Sequence, residues 1–151
     1  MTLNPAGFQI VADFGIPQAI TGQVSTAQAA VSGGQFVFAG SQSAPVSSGA
    51  STFVTSDILV SSPASGVNYA LGVATHNAVS GNYVTVLTKG IIIATADGSI
   101  SPGDILTAAG GNHAVTALGS DANPVVVMRK AIGRALTSAG SEEYCLVKLD
   151  L

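Results

Sequence analysis

GNYVTVLTKGIIIATA, residues 81–96, is the stretch that decides the fold class. Tyr83, Thr85 and Leu87 alternate with Val84 and Val86, the period-two signature of a strand with two distinct faces. Ile91, Ile92 and Ile93 then form a run apolar on both sides, as expected of a strand in the core or beneath a partner subunit. Lys89-Gly90 separates the two runs, and the short segment 77–82 leads into the first, so the stretch reads as a central hairpin.

Working outward, the same texture recurs. Residues 35–39 form a short strand carrying Phe36 and Phe38 on one face; 52–60 and 68–75 follow. Downstream, 105–107, 125–128, 130–136 and 143–151 complete the series, punctuated by Gly33-Gly34, Asp97-Gly98 and Pro102-Gly103. Short strands spaced by such turns indicate an all-β small barrel or sandwich. Residues 1–31 show no clean periodicity and read as an extended N-terminal arm, with Phe8, Ile10, Val11 and Phe14 as apolar anchors. Residues 32–151 are expected to form a single β domain.

That domain carries a weak internal repeat, about 52–90 against 99–151. Asp57-Ile58-Leu59 recurs as Asp104-Ile105-Leu106, and Ala70-Leu71-Gly72-Val73-Ala74 as Ala131-Ile132-Gly133-Arg134-Ala135. Tyr83 and Tyr144 follow Gly72 and Gly133 at the same interval. The alignment places Val84 and Val86 on Cys145 and Val147 as one inward face, and Thr85 and Leu87 on Leu146 and Lys148 as the opposite face. The halves differ by an insertion within 108–124, expected as a projecting loop. Glycine inside an apolar strand is costly unless a bend, a bulge or close backbone approach requires it, so Gly72 and Gly133 mark such positions.

The composition restricts function. Charged residues are 9% of the chain, against about a quarter in an ordinary soluble domain. With a formal net charge of -3 and five basic residues, there is no cationic field for nucleic acid. A surface this poor in charge is expected to be covered in part by a neighbour. The single cysteine, Cys145, makes no internal disulfide. The N-terminus lacks a signal-peptide pattern, and no run approaches the roughly eighteen apolar residues of a membrane span, so neither export nor membrane insertion is expected.

Chemistry-bearing residues are sparse. His76 and His113 lack the spacing of a metal pair, and Cys145 in an alternating strand reads as a core residue. Asp57 and Asp104 follow turns, where a carboxylate caps backbone amides. Asp97-Gly98-Ser99 lacks calcium-loop spacing, and the paired glycines are not followed by a phosphate-loop Lys-Ser/Thr. No catalytic residue, metal or cofactor is expected.

The run YALGVATHNAVSGNYVTVLTKGIIIATA (69–96), with ISPGDILTAAGG (100–111) and AIGRALTSAGSEEYCLVKLDL (131–151), resembles the small phage capsid decoration, or cement, proteins. The resemblance covers roughly 32–151 and rests on scaffold motifs without catalytic content. It implies a compact β protein on the outer surface of a virion, made in the host cytoplasm, that bridges major capsid protein subunits, often as a homotrimer. The long arm departs from that core and is expected to lie over the capsid or a neighbouring subunit. The interface residues expected are therefore Phe8, Ile10, Val11 and Phe14, with Phe36 and Phe38 in the core or beneath the arm. A different class, a head-fibre, tail or adhesion module binding a host ligand through 108–124, is the alternative. An enzyme would need a pocket joining His76 or His113 to carboxylates.

Overall fold

A computed structural model of the chain describes residues 10–12, 18–25, 29–39, 58–62, 70–109, 114–118 and 130–151. Thirteen short strands occur among them, arranged around two five-stranded rings. The first ring is built from β2 (Ala19–Val24), β4 (Phe36–Ala39), β5 (Ile58–Ser61), β6 (Ala70–Ala74) and β8 (Tyr83–Leu87), closed in the order β2-β5-β4-β6-β8. The second contains β9 (Lys89–Ala96), β10 (Ile105–Ala108), β11 (Ala114–Ala117), β12 (Gly133–Ala135) and β13 (Tyr144–Asp150). It runs β9-β11-β10-β12-β13, and β13 pairs back to β9. β1 (Ile10–Ala12) adds to β9, and β3 (Ala30–Val31) with β7 (Ala78–Val79) forms a separate two-stranded ribbon.

The rings are copies of one module. Each has a single parallel pair, β2 with β5 and β9 with β11, and the others are antiparallel. Their registers coincide residue by residue. Tyr83 faces Gln23 as Tyr144 faces Thr95, Val37 faces Gly72 as Leu106 faces Gly133, and Val73 faces Leu87 as Arg134 faces Lys148. The Gly72/Gly133 and Tyr83/Tyr144 correspondences therefore hold in space. The Asp-Ile-Leu correspondence does not, because Ile58 opens β5, whose counterpart is β11, while Ile105 opens β10, whose counterpart is β4. An acidic cap followed by two apolar residues suits many strand entries, so the triplet carries no register of its own.

Period-two alternation fills each barrel. Val84 and Val86 point into the first, beside Val24, Val37, Val60 and Ala74. Cys145 and Val147 point into the second, beside Ile92, Ala94, Leu106, Val115 and Ala135. The shared inward face expected from the repeat is thus present. The glycines permit closure: a Cβ on Gly72 would meet the Leu87 carbonyl oxygen at 2.5 Å, and one on Gly133 would run into the Lys148 carbonyl oxygen. In both barrels the fourth strand in chain order, β6 or β12, lies hard against the last one, β8 or β13, with no room for a side chain at the glycine.

The two barrels share an apolar junction. Phe36, Val73 and Leu87 stand in one row across the outside of β4, β6 and β8, and pack into the core of the second barrel. All three are at most 2% exposed, and burying side chains of this size stabilises by about 1.5–3 kcal/mol each. Leu151 N–H donates to the Thr88 carbonyl at 3.2 Å, tying the chain end to the crossing point. The equivalent row on the second barrel is Ile105, Arg134 and Lys148, where both cations are exposed.

Four expectations are corrected. β8 and β9 are not a hairpin; they belong to different barrels, with Thr88 between them, and Gly90 (φ 146°) continues β9 instead of ending a strand. Residues 1–31 are not one arm, because Ala19–Val24 closes the first barrel through five pairs with β8. Residues 32–151 accordingly hold less than the full first barrel, and the repeat extends over 19–87 and 89–150. Finally, 108–124 is not simply a projecting loop, since β11 within it bridges β10 and β9.

Candidate interaction surface

Among the described residues the chemistry-bearing side chains sit in different segments of the fold. Cys145 is 2% exposed inside the second barrel, and burial pushes its thiol above the usual range, against a smaller lowering by a backbone hydrogen bond. A thiol held protonated in an apolar core is a poor nucleophile. His76 is exposed at a bend, its Nδ1 3.1 Å from Thr75 Oγ1. Asp104 Oδ2 accepts from the Ser101 amide at 2.8 Å, and Glu143 Oε2 from the Gly140 amide at 2.7 Å, so both carboxylates cap turns. His113 and Asp57 lie outside the described residues. Among the described residues no three His, Cys, Asp or Glu side chains gather where they could hold a metal ion.

What the strands do present is sheet face. On the first barrel, alternation turns Leu59, Gln23 and Tyr83 outward in one row across β5, β2 and β8, with Thr21 and Thr85 paired in the next. Tyr83 is 54% exposed, and Gln23 Nε2 donates to the Gly81 carbonyl at 2.7 Å, which fixes the amide beside the ring. Val79, on the adjoining ribbon, is 57% exposed. On the second barrel, the equivalent face carries Ile93 opposite Leu146 and Thr95 opposite Tyr144, with Leu136 nearby and the exposed Arg134 and Lys148 at its edge.

The two barrels differ sharply in charge. Every basic residue of the chain (Lys89, Arg129, Lys130, Arg134, Lys148) lies at or beyond the start of β9. Before it the only charged side chains are Asp13 and Asp57. This partition stands in the sequence, but it acquires meaning only once the boundary between barrels is fixed at Thr88.

The expected interface residues fare unevenly. Phe36 (1% exposed) and Phe38 (5%) are buried, Phe36 in the junction, so neither offers surface to a partner. Their strand is apolar on both sides because one side fills the first barrel and the other meets the second. Ile10 and Val11 lie in β1, whose backbone pairs with Ile91 and Ile92 of β9. Phe8 and Phe14 lie outside the described residues.

The described residues thus present two paired small barrels, the first with an uncharged outer sheet face and the second with Arg134 and Lys148 at its edge. The profile of the phage cement protein family matches residues 16–149, both barrels included, and the chain belongs to that family. It is on that ground a virion-associated structural protein of the phage head. No curated protein matches the chain. Among solved structures it is similar to the head fibre gp8.5 N base of bacteriophage phi29, at 14% identity and a TM-score of 0.55. The match covers 89% of this chain and 95% of that one, and establishes a common fold.

Proposed function

We propose that the chain binds the outer surface of a phage capsid as a homotrimer and stabilises the head by bridging major capsid protein subunits, without catalysing a reaction. The family match across both barrels carries this reading. The physical character of the surface supports it: a face of Thr, Gln, Tyr and small residues can meet another protein closely without stranding a buried charge. Repetition over a shell multiplies individually modest contacts. The N-terminal residues Phe8, Ile10, Val11 and Phe14 are assigned as apolar anchors that lie over the capsid or a neighbouring subunit. The protein is made in the host cytoplasm and comes to lie on the outer surface of the capsid.

The test is sedimentation of the purified chain with capsids stripped of decoration, followed by heating. The reading requires saturable binding at a fixed copy number per capsid and a raised temperature of capsid disassembly. Absence of binding to any capsid form of the cognate phage refutes it. The likeness to a head-fibre base favours a second reading, in which the chain is the foot of a fibre or an adhesion module. That reading requires binding to host cells or their glycans, with no gain in capsid stability.

A further inference from the structure

We infer that copies of this chain meet through the first barrel, on the outer face of β5, β2 and β8, while the second barrel stays in solvent. The inference rests on the proposed homotrimer and adds the surface by which it forms. Its basis is the charge partition. Residues 1–88 hold no lysine or arginine, whereas residues 89–151 hold all five basic residues and six of the eight acidic ones.

The choice of a second copy as occupant follows from symmetry. Around a rotation axis, a side chain near the axis meets its own copies, so any charge placed there faces a like charge. A surface that binds a different protein has no such restriction and can be matched by opposite charge on the partner. A barrel with no cation, and with Asp57 as the one charged residue in 19–87, is therefore what self-association selects. The face has the rest of an interface's character as well: Tyr83 more than half exposed, Thr21 opposite Thr85, and Gln23 held in place by its bond to Gly81. The second barrel, with Lys148, Arg134, Glu142 and Glu143 exposed, supplies the charge that keeps the assembly dispersed.

Two doubly substituted chains separate the faces, each first shown by circular dichroism to be folded. Thr21→Lys with Tyr83→Lys places cations on the β2 and β8 part of the proposed face. Leu136→Lys with Tyr144→Lys places them at comparably exposed positions on the second. Masses are read by light scattering over a concentration series, against the 14.9 kDa protomer. The wild type should be a stable trimer, the first variant should dissociate at concentrations on the order of 100-fold higher, and the second should match the wild type. A trimer unchanged by the first variant, or broken by the second alone, overturns the assignment of the face and leaves the trimer standing. A wild-type monomer at every concentration overturns the inference, and capsid sedimentation then decides the cement reading separately.

Discussion

Replacing Gly133 by alanine puts the barrel geometry to a direct test. The added Cβ would collide with the carbonyl oxygen of Lys148, and would lie 2.9 Å from its carbonyl carbon and 3.1 Å from Leu149 Cα. These are backbone atoms of β13, which pairs with β12 on one side and with β9 along seven residues on the other, so the obstacle has no free end to swing away. Overpacking of this sort costs about 1–3 kcal/mol and sometimes more. The loss of glycine's unfolded-state freedom returns at most about 1 kcal/mol. We expect a net destabilisation of roughly 2 kcal/mol, which for a chain of this size lowers Tm by about 4–8 °C. Urea unfolding followed by circular dichroism measures it. Gly81→Ala is the control: its φ of 79° disfavours a side chain, yet nothing lies within 4 Å, so strain alone should cost about 1–2 kcal/mol. If Gly133→Ala unfolds within 0.5 kcal/mol of the wild type, the argument that β12 and β13 touch through a missing side chain is refuted.

Three further outcomes are expected. Phe36→Ala empties the junction and should cost about 3–5 kcal/mol, and the two barrels should then unfold in separable steps by calorimetry, whereas the wild type melts once. Burial raises the Cys145 thiol, so its contribution is complete below the unfolded value of about 8.5 and is lost as pH rises through the higher folded value. Stability should therefore fall on alkaline titration more steeply in the wild type than in Cys145→Ala. The Lys89–Asp150 pair, 3.6 Å apart with both side chains well exposed, should contribute less than about 1 kcal/mol, and Asp150→Asn should leave the urea midpoint nearly unchanged.

Much of the fold could be read from residues whose alternation survives in isolation. Tyr83 through Leu87 and Tyr144 through Asp150 each announce a strand, and the paired Gly72 and Gly133 announce a close approach that the structure places at the same point of each barrel. The barrel closures were hidden because the closing strands are made of small residues. AITGQV (19–24) has Gly22 where a Cβ would meet Val60 Cγ1 at 2.6 Å, and AVTA (114–117) is equally slight; neither shows an apolar period. Both take part in parallel pairs between segments distant in sequence, which local pattern does not report. Consecutive strands pair about two-thirds of the time, but β8 and β9 do not, because the chain passes from one barrel to the other at Thr88. Among site residues, Phe36 was visible as buried or covered, but only the second barrel explains what covers it. The charge partition is written in the sequence, and the barrel boundary at Thr88 gives it physical meaning.

The row formed by Phe36, Val73 and Leu87 docks one module onto the core end of the next, and that arrangement is head-to-tail. Such an association has no inherent stopping point, because each added module presents the same row again and could accept another copy, growing into a filament. In the second module the positions of Val73 and Leu87 are occupied by Arg134 and Lys148. A third barrel seated there would trap two cations with no counter-charge in the docking surface, at a desolvation cost of several kcal/mol per ion. The second barrel therefore does not repeat the apolar docking row of the first, as the outer face of a capping repeat does not.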